Sequence, residues 1–222
     1  MGIYAVVHTC IGRYKQIIML KETFTKLLSK YTDDNRLTNI LWSEIEKNYT
    51  GKKRHYHTLQ HLDNLYSQLT IVKEEIKNWE TILFTLYYHD IIYNATKSDN
   101  EEKSAELAEK RMKEISVSSN IIEQCKEQIL ATKSHHKSID SDTNYFTDAD
   151  LSVLGKSWET YALYYKNVRK EYAIYPAFIY NPGRKKVLNH FLSMDRIFKT
   201  DFFYNKFETQ AKQNLQRELD SL

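Results

Sequence analysis

Three short clusters in this 222-residue chain combine imidazoles with carboxylates. The first, Arg54-His55-Tyr56-His57-Thr58-Leu59-Gln60-His61, sets His57 and His61 four residues apart, one turn along the same helical face. The second is Tyr88-His89-Asp90, and the third is Phe146-Thr147-Asp148-Ala149-Asp150-Leu151. Two imidazoles and two carboxylates arriving from separate elements make a mixed nitrogen and oxygen cage for a divalent metal ion. An ion held this way, with positions left open, activates water.

The elements that must position these groups read as helices nearly everywhere. Ile18, Phe24, Leu27 and Leu28 recur at helical spacing, and Leu37, Ile40, Leu41 and Ile45 repeat the pattern over Asn35 to Tyr49. Leu59, Leu62, Leu65 and Leu69 carry it from Thr58 to Ile71, so His57 and His61 stand at the start of that helix. The segment Trp79 to Tyr93 is apolar around most of its circumference and belongs at the centre of a bundle, with His89 and Asp90 at its end. Adjacent residues on a helix point about 100° apart, so both grip one ion only if it lies between their directions. Helices are expected over 103–114, 121–132, 158–174, 186–198 and 203–219, with a short one from Asp148 to Leu154 closed by Gly155 and a turn at Asn181-Pro182-Gly183-Arg184. The fold class is all-α, a helical bundle of roughly eight to eleven helices.

Composition narrows the function classes. Two prolines and five glycines suit long helices with few tight turns, and no Pro, Gly or Ser-rich linker divides the chain. Residues 19–222 read as a single helical domain behind an extension, 1–18, of unclear role. The net charge of +3 is small and spread along the chain, which gives no support to a nucleic-acid or membrane-surface role. No run reaches the roughly 18 apolar residues needed to span a bilayer. Cys10 and Cys125 are too few for a disulfide framework, so the cytoplasm is the expected compartment. The sequence does not set the oligomeric state and is compatible with a homo-oligomer.

The order His57, then His89-Asp90, then Asp148 resembles the metal-binding pattern of the HD superfamily of metal-dependent phosphohydrolases, an all-α fold. The similarity extends to a subgroup of bacterial and fungal predicted phosphohydrolases. It is carried by the strings at Arg54 to His61, Tyr88 to Tyr93, Asn100 to Ala105, Asp148 to Gly155, Arg169 to Tyr172 and Gly183 to Leu188. It covers the chain from about Trp42 onward. Any one string is weak; all of them in one order are specific. The resemblance implies that His57, His89, Asp90 and Asp148 ligate one divalent ion, with Mn, Fe, Co, Ni, Zn and Mg not distinguished. It further implies that the remaining positions hold water and a phosphate oxygen of the substrate.

The other candidates carry two readings each. His61 is a further ligand, a donor orienting a ligand or phosphate, or a polar core residue. Asp150, two residues from Asp148, turns away from the same target and reads as a helix-start acid paired with Thr147. Glu101 is a general base for water or the acid of a Ser98-x-x-Glu101 capping box. His135 approaches the ion or a phosphate, or favours a helix C-terminus as a cation, and with His136 beside it leaves room for a second ion. Arg54, Lys97, Arg169 and Arg184 are candidates to hold substrate phosphate, since a guanidinium fork matches phosphate oxygens. The expected activity is hydrolysis of a small phosphorylated, nucleotide-like metabolite, monoester or diester unresolved. The competing reading is a regulatory module that keeps a metal and nucleotide site without turnover.

Overall fold

The structure, a computed structural model, describes residues 18–222, where it holds ten α-helices and no strand. The expectation for residues 1–17 lies outside the described residues. Helix α1 spans 18–28; α2 is Asn35–Tyr49, α3 Leu59–Ile71, α4 Trp79–Tyr88, α5 Asn100–Glu114, α6 Ser119–Ala131, α7 Ser141–Leu151, α8 Trp158–Glu171, α9 Ala177–Leu192 and α10 Asp201–Ser221. Short 3-10 turns follow α3, at Lys73–Glu75, and α7, at Ser152–Gly155.

Helix α4 is the hub. Ile82, Leu83, Phe84, Leu86, Tyr87 and Tyr88 are all buried, and Thr81 and Thr85 with them, so the helix hides its whole circumference. It packs against α3, α5 and α6. The amphipathic stripes of the outer helices differ in detail from the sequence expectation. Leu20, not the exposed Ile18, completes the inward face of α1, and in α2 the face runs through Leu41, Trp42, Ile45 and Tyr49 while Ile40 faces solvent. One contiguous core reaches from Leu20 to Leu215.

A chain so poor in glycine and proline needs another way to fix its connections, and four buried carboxylates do it. Asp142 of α7 accepts the amides of Lys77 and Asn78 ahead of α4. Glu171 of α8 accepts those of His55, Tyr56 and His57, Glu208 of α10 those of Ile197 and Phe198, and Asp148 of α7 those of Lys199 and Thr200. Charge-assisted bonds of this kind are about twice as strong as neutral ones, and each satisfies donors that a buried loop would otherwise orphan.

Helices α4 and α8 stop short of the expected Tyr93 and Ile174, and two further segments depart more strongly from expectation. Helix α7 starts at Ser141, seven residues before Asp148, because Asp140 caps it through the Thr143 amide. The Pro-Gly turn at 181–184 does not form: α9 runs through it, with Pro182 inside the helix. Buried Leu188 and the bidentate Arg184–Glu218 pair dock α9 on α10, which outweighs the one backbone bond a proline forgoes.

Gly155 is required by a close approach. A Cβ there would lie 2.5 Å from Phe207 Cβ and 2.6 Å from its carbonyl oxygen, where α10 crosses the 3-10 turn. Asn214 donates to the Leu154 and Lys156 carbonyls on either side and holds the crossing in place. Gly155→Ala is expected to cost about 2–3 kcal/mol. The measurement is a urea titration in which the midpoint falls and the slope does not; an unchanged midpoint would mean that the backbones separate freely.

Candidate metal centre

The end of α4, the first turn of α3 and the end of α7 converge. His61 Nε2 lies 3.1 Å from His89 Nε2 and 3.6 Å from Asp90 Oδ2, and His89 Nε2 lies 3.1 Å from the same oxygen. These three residues form a metal-capable group, with donor atoms all within 4.8 Å of one another. Asp150 flanks them, its Oδ1 at 3.3 Å from His61 and 3.9 Å from His89. Metal bonds of about 2.1 Å place neighbouring donors about 3.0–3.4 Å apart around one ion; the His61–His89, His89–Asp90 and His61–Asp150 separations fall in that range, and the His61–Asp90 and His89–Asp150 separations are longer. The donor set of imidazole and carboxylate fits a divalent cation.

Electrostatics point the same way. Burial alone would drive the His89 imidazole toward neutrality, but Asp90, Asp150 and the Leu86 carbonyl outweigh it and raise its pKa to about 9. Burial likewise opposes ionisation of Asp90, yet His89, His57 and His61 hold it well below the usual carboxylate range. For Asp150, the same opposition from burial is overcome by His135 and His61. Two half-buried carboxylates thus demand positive charge at this spot. A proton on His89 supplies part of it, and a cation bound there would displace that proton.

His57 stands at the edge. Its Nε2 is 3.9 Å from Asp90 Oδ2, its ring lies over Tyr93 with centroids 4.1 Å apart, and its Nδ1 meets Glu171 Oε2 at 2.7 Å. Since that carboxylate can only accept, Nδ1 carries the proton and the Nε2 lone pair faces the centre. The structure therefore sets His61, rather than His57, in the closest group.

Asp148 does not join the group. Its Oδ1 accepts the Lys199 amide and its Oδ2 accepts the amide and hydroxyl of Thr200, and it is fully buried. Lys199 Nζ is 3.3 Å from Oδ1, an ion pair without hydrogen-bond geometry. The reason is the register of α7: two residues turn a helix by about 200°, so Asp148 and Asp150 serve opposite faces. Asp150, not Asp148, is the α7 acid beside the His61–His89–Asp90 group.

A cavity of about 490 Å³ opens over Asp90 and Asp150, walled by His57, Glu101, His135, Tyr93, Tyr172 and Phe191, with Lys133, Lys186 and His190 among its lining. His135 Nε2 is 3.3 Å from Asp150 Oδ2, which keeps it in the site. Glu101 lines the cavity, and the capping box with Ser98 does not form: Asp99 is the N-cap of α5 and makes no side-chain cap bond.

The cations expected to hold phosphate go elsewhere. Arg54 donates to the carbonyls of His57, Asp90 and Ile91, stapling the His57 segment to the end of α4. Arg169 donates to the Tyr172 and Tyr175 carbonyls, and Arg184 is spent on Glu218. Lys97 is exposed on the α4–α5 connection and lines none of the cavities over the centre. Lys186, His190 and Glu171 lay outside the sequence expectation. Glu171 stands in the Arg169 to Tyr172 string, but nothing in its local spacing marks it as the acceptor of three amides from another segment.

Among the described residues no helix is long and apolar enough to cross a membrane. Comparison of the chain with protein-family models, with curated proteins and with solved structures finds no match.

Proposed function

We propose that this chain is a metal-dependent phosphohydrolase of the HD type, acting on a small phosphate ester. One observation carries the reading: donor atoms of His61, His89, Asp90 and Asp150 come within 3.1–3.9 Å of their neighbours at the floor of a cavity with cationic walls. A divalent ion bound by them would lower the pKa of water and neutralise charge on the phosphoryl group.

The residues do the rest. Lys186 and His135 attract the phosphate, Lys133 being paired with Glu102, and Tyr93, Tyr172 and Phe191 give a flat apolar group somewhere to lie, which suits a nucleotide-like ester. Glu101, which lines the cavity, handles a proton of the reaction. Tyr56 and Tyr93 exclude bulk water around His57.

Metal analysis of the purified protein, followed by a panel of nucleotides and simple phosphate esters with Mn, Co, Ni and Mg, tests this. About one ion per chain and turnover that EDTA abolishes are expected. Saturable nucleotide binding without turnover would instead identify a binding module, and absence of any bound ion would remove the reading altogether.

A further inference from the structure

The metal centre is reached from two sides. Tyr56 and Tyr164, edge to face with centroids 4.6 Å apart, line both the cavity over Asp90 and a second cleft of about 480 Å³. That rear cleft, bordered by Gln60, Asn64 and Thr160, ends on His61. A smaller chamber of about 130 Å³ adjoins it, since both are lined by Asn64, Val153 and Thr160, and this chamber ends on His61 and Asp150 together.

The chamber is polar and incompletely satisfied. Ser67, Gln68 and Ser152 line it. Gln68 is 9% exposed, and its Oε1 is buried with no hydrogen-bond partner. An orphaned buried acceptor costs about 1–3 kcal/mol unless water supplies the donor. At about 30 Å³ per molecule the chamber has room for roughly four waters, with polar partners to hold them. The rear walls suit water better than an anionic ester: the rear cleft's Arg54 is committed to backbone carbonyls, and the chamber's Lys156 has its ammonium over the Phe207 ring.

We infer that the chamber between Gln68 and the His61–Asp150 edge is a water site that supplies the nucleophile from the side opposite the substrate. This rests on the phosphohydrolase reading. Phosphoryl transfer needs the attacking and leaving oxygens roughly in line across phosphorus. With an ester filling the front cavity, the face left for water is the one toward His61 and Asp150. The water oxygen bonds to phosphorus as the bond to the leaving oxygen breaks. Water gives up one proton and the leaving oxygen takes one up, so ester and water become phosphate and alcohol.

Two measurements decide it. A crystal structure of the full chain is expected to show a water on Gln68 Oε1 and a chain of waters from it to His61 or Asp150; a dry chamber, or one filled by a shifted side chain, overturns the inference. Asn64 and Thr160 are exposed and lie where cleft and chamber meet, so the double substitution N64W/T160W plugs the passage without touching the donor group. It is expected to slow turnover of a phosphate ester about tenfold at unchanged KM and metal content, with N64W alone as the milder variant. Turnover equal to that of the unsubstituted protein overturns the supply role. If the unsubstituted protein hydrolyses no ester, the phosphohydrolase reading fails by itself and the crystal waters still decide the site.

Discussion

Asp150→Ala is expected to weaken divalent-ion binding by about 100-fold or more while the protein stays folded, and Asp148→Ala to do the reverse. Asp150 Oδ1 faces both imidazole nitrogens, at 3.3 Å and 3.9 Å, and its loss opens one side of the donor set. Asp148 has both oxygens committed to the Lys199 and Thr200 amides and sits against the Lys199 ammonium, a side chain only 4% exposed. Removing it strands a buried cation and three donors, a loss of about 3–5 kcal/mol for the broken pair. Calorimetric titration with Mn or Co measures the first effect and a urea melt the second. A folded, metal-free Asp148→Ala protein, or an Asp150→Ala protein that keeps its ion, would invert the assignment.

That pair also shows what the sequence could and could not disclose. The all-α class, the central α4 and the His89-Asp90 dyad at its end were legible because they depend on hydrophobic periodicity and local order along one helix. Which of two acids separated by a single residue faces the site depends on where α7 begins, and the cap that starts it, Asp140, lies eight residues upstream of Asp148. A usable signal was present: Phe146 packs edge-on to His89 at 5.4 Å, and Asp150 follows it by four residues, hence on the same face. The placing of His57 at the edge and His61 in the closest group was hidden for a similar reason, since His57 precedes the helix and belongs to a loop whose path Glu171 sets from α8. The arginines read as phosphate ligands are instead buried or half-buried staples on backbone carbonyls and on Glu218, partners more than thirty residues away in two of the three cases. Tertiary context of that kind leaves no mark on local spacing.

Glu171→Gln should reverse the polarity of His57. In the native protein Oε1 accepts three successive amides, from His55, Tyr56 and His57, at 2.7–3.0 Å, and Oε2 accepts from His57 Nδ1. A glutamine has one acceptor oxygen, and three amides outbid one ring nitrogen for it, since each buried donor left unmade costs about 1–3 kcal/mol. Its NH2 group then faces Nδ1, which must become the acceptor, so the ring proton moves to Nε2 and the lone pair that faced Asp90 is lost. Metal affinity is expected to fall about 10- to 100-fold with the fold retained, and nitrogen-15 chemical shifts of His57 should report the exchanged tautomer. The carboxylate also leaves an acid signature in the metal-free protein. Burial alone would raise the pKa of Glu171, but the His57 imidazole and the Tyr56 and His55 amides bring it down to about 2. Because this folded value is depressed, the stabilisation is complete above the ordinary glutamate range near pH 4 and disappears as pH falls from there toward 2, a contribution of about 3 kcal/mol. Glu171→Gln should therefore flatten stability across that window, and an acid limb identical to that of the unsubstituted protein would show that the carboxylate is not held as the geometry requires.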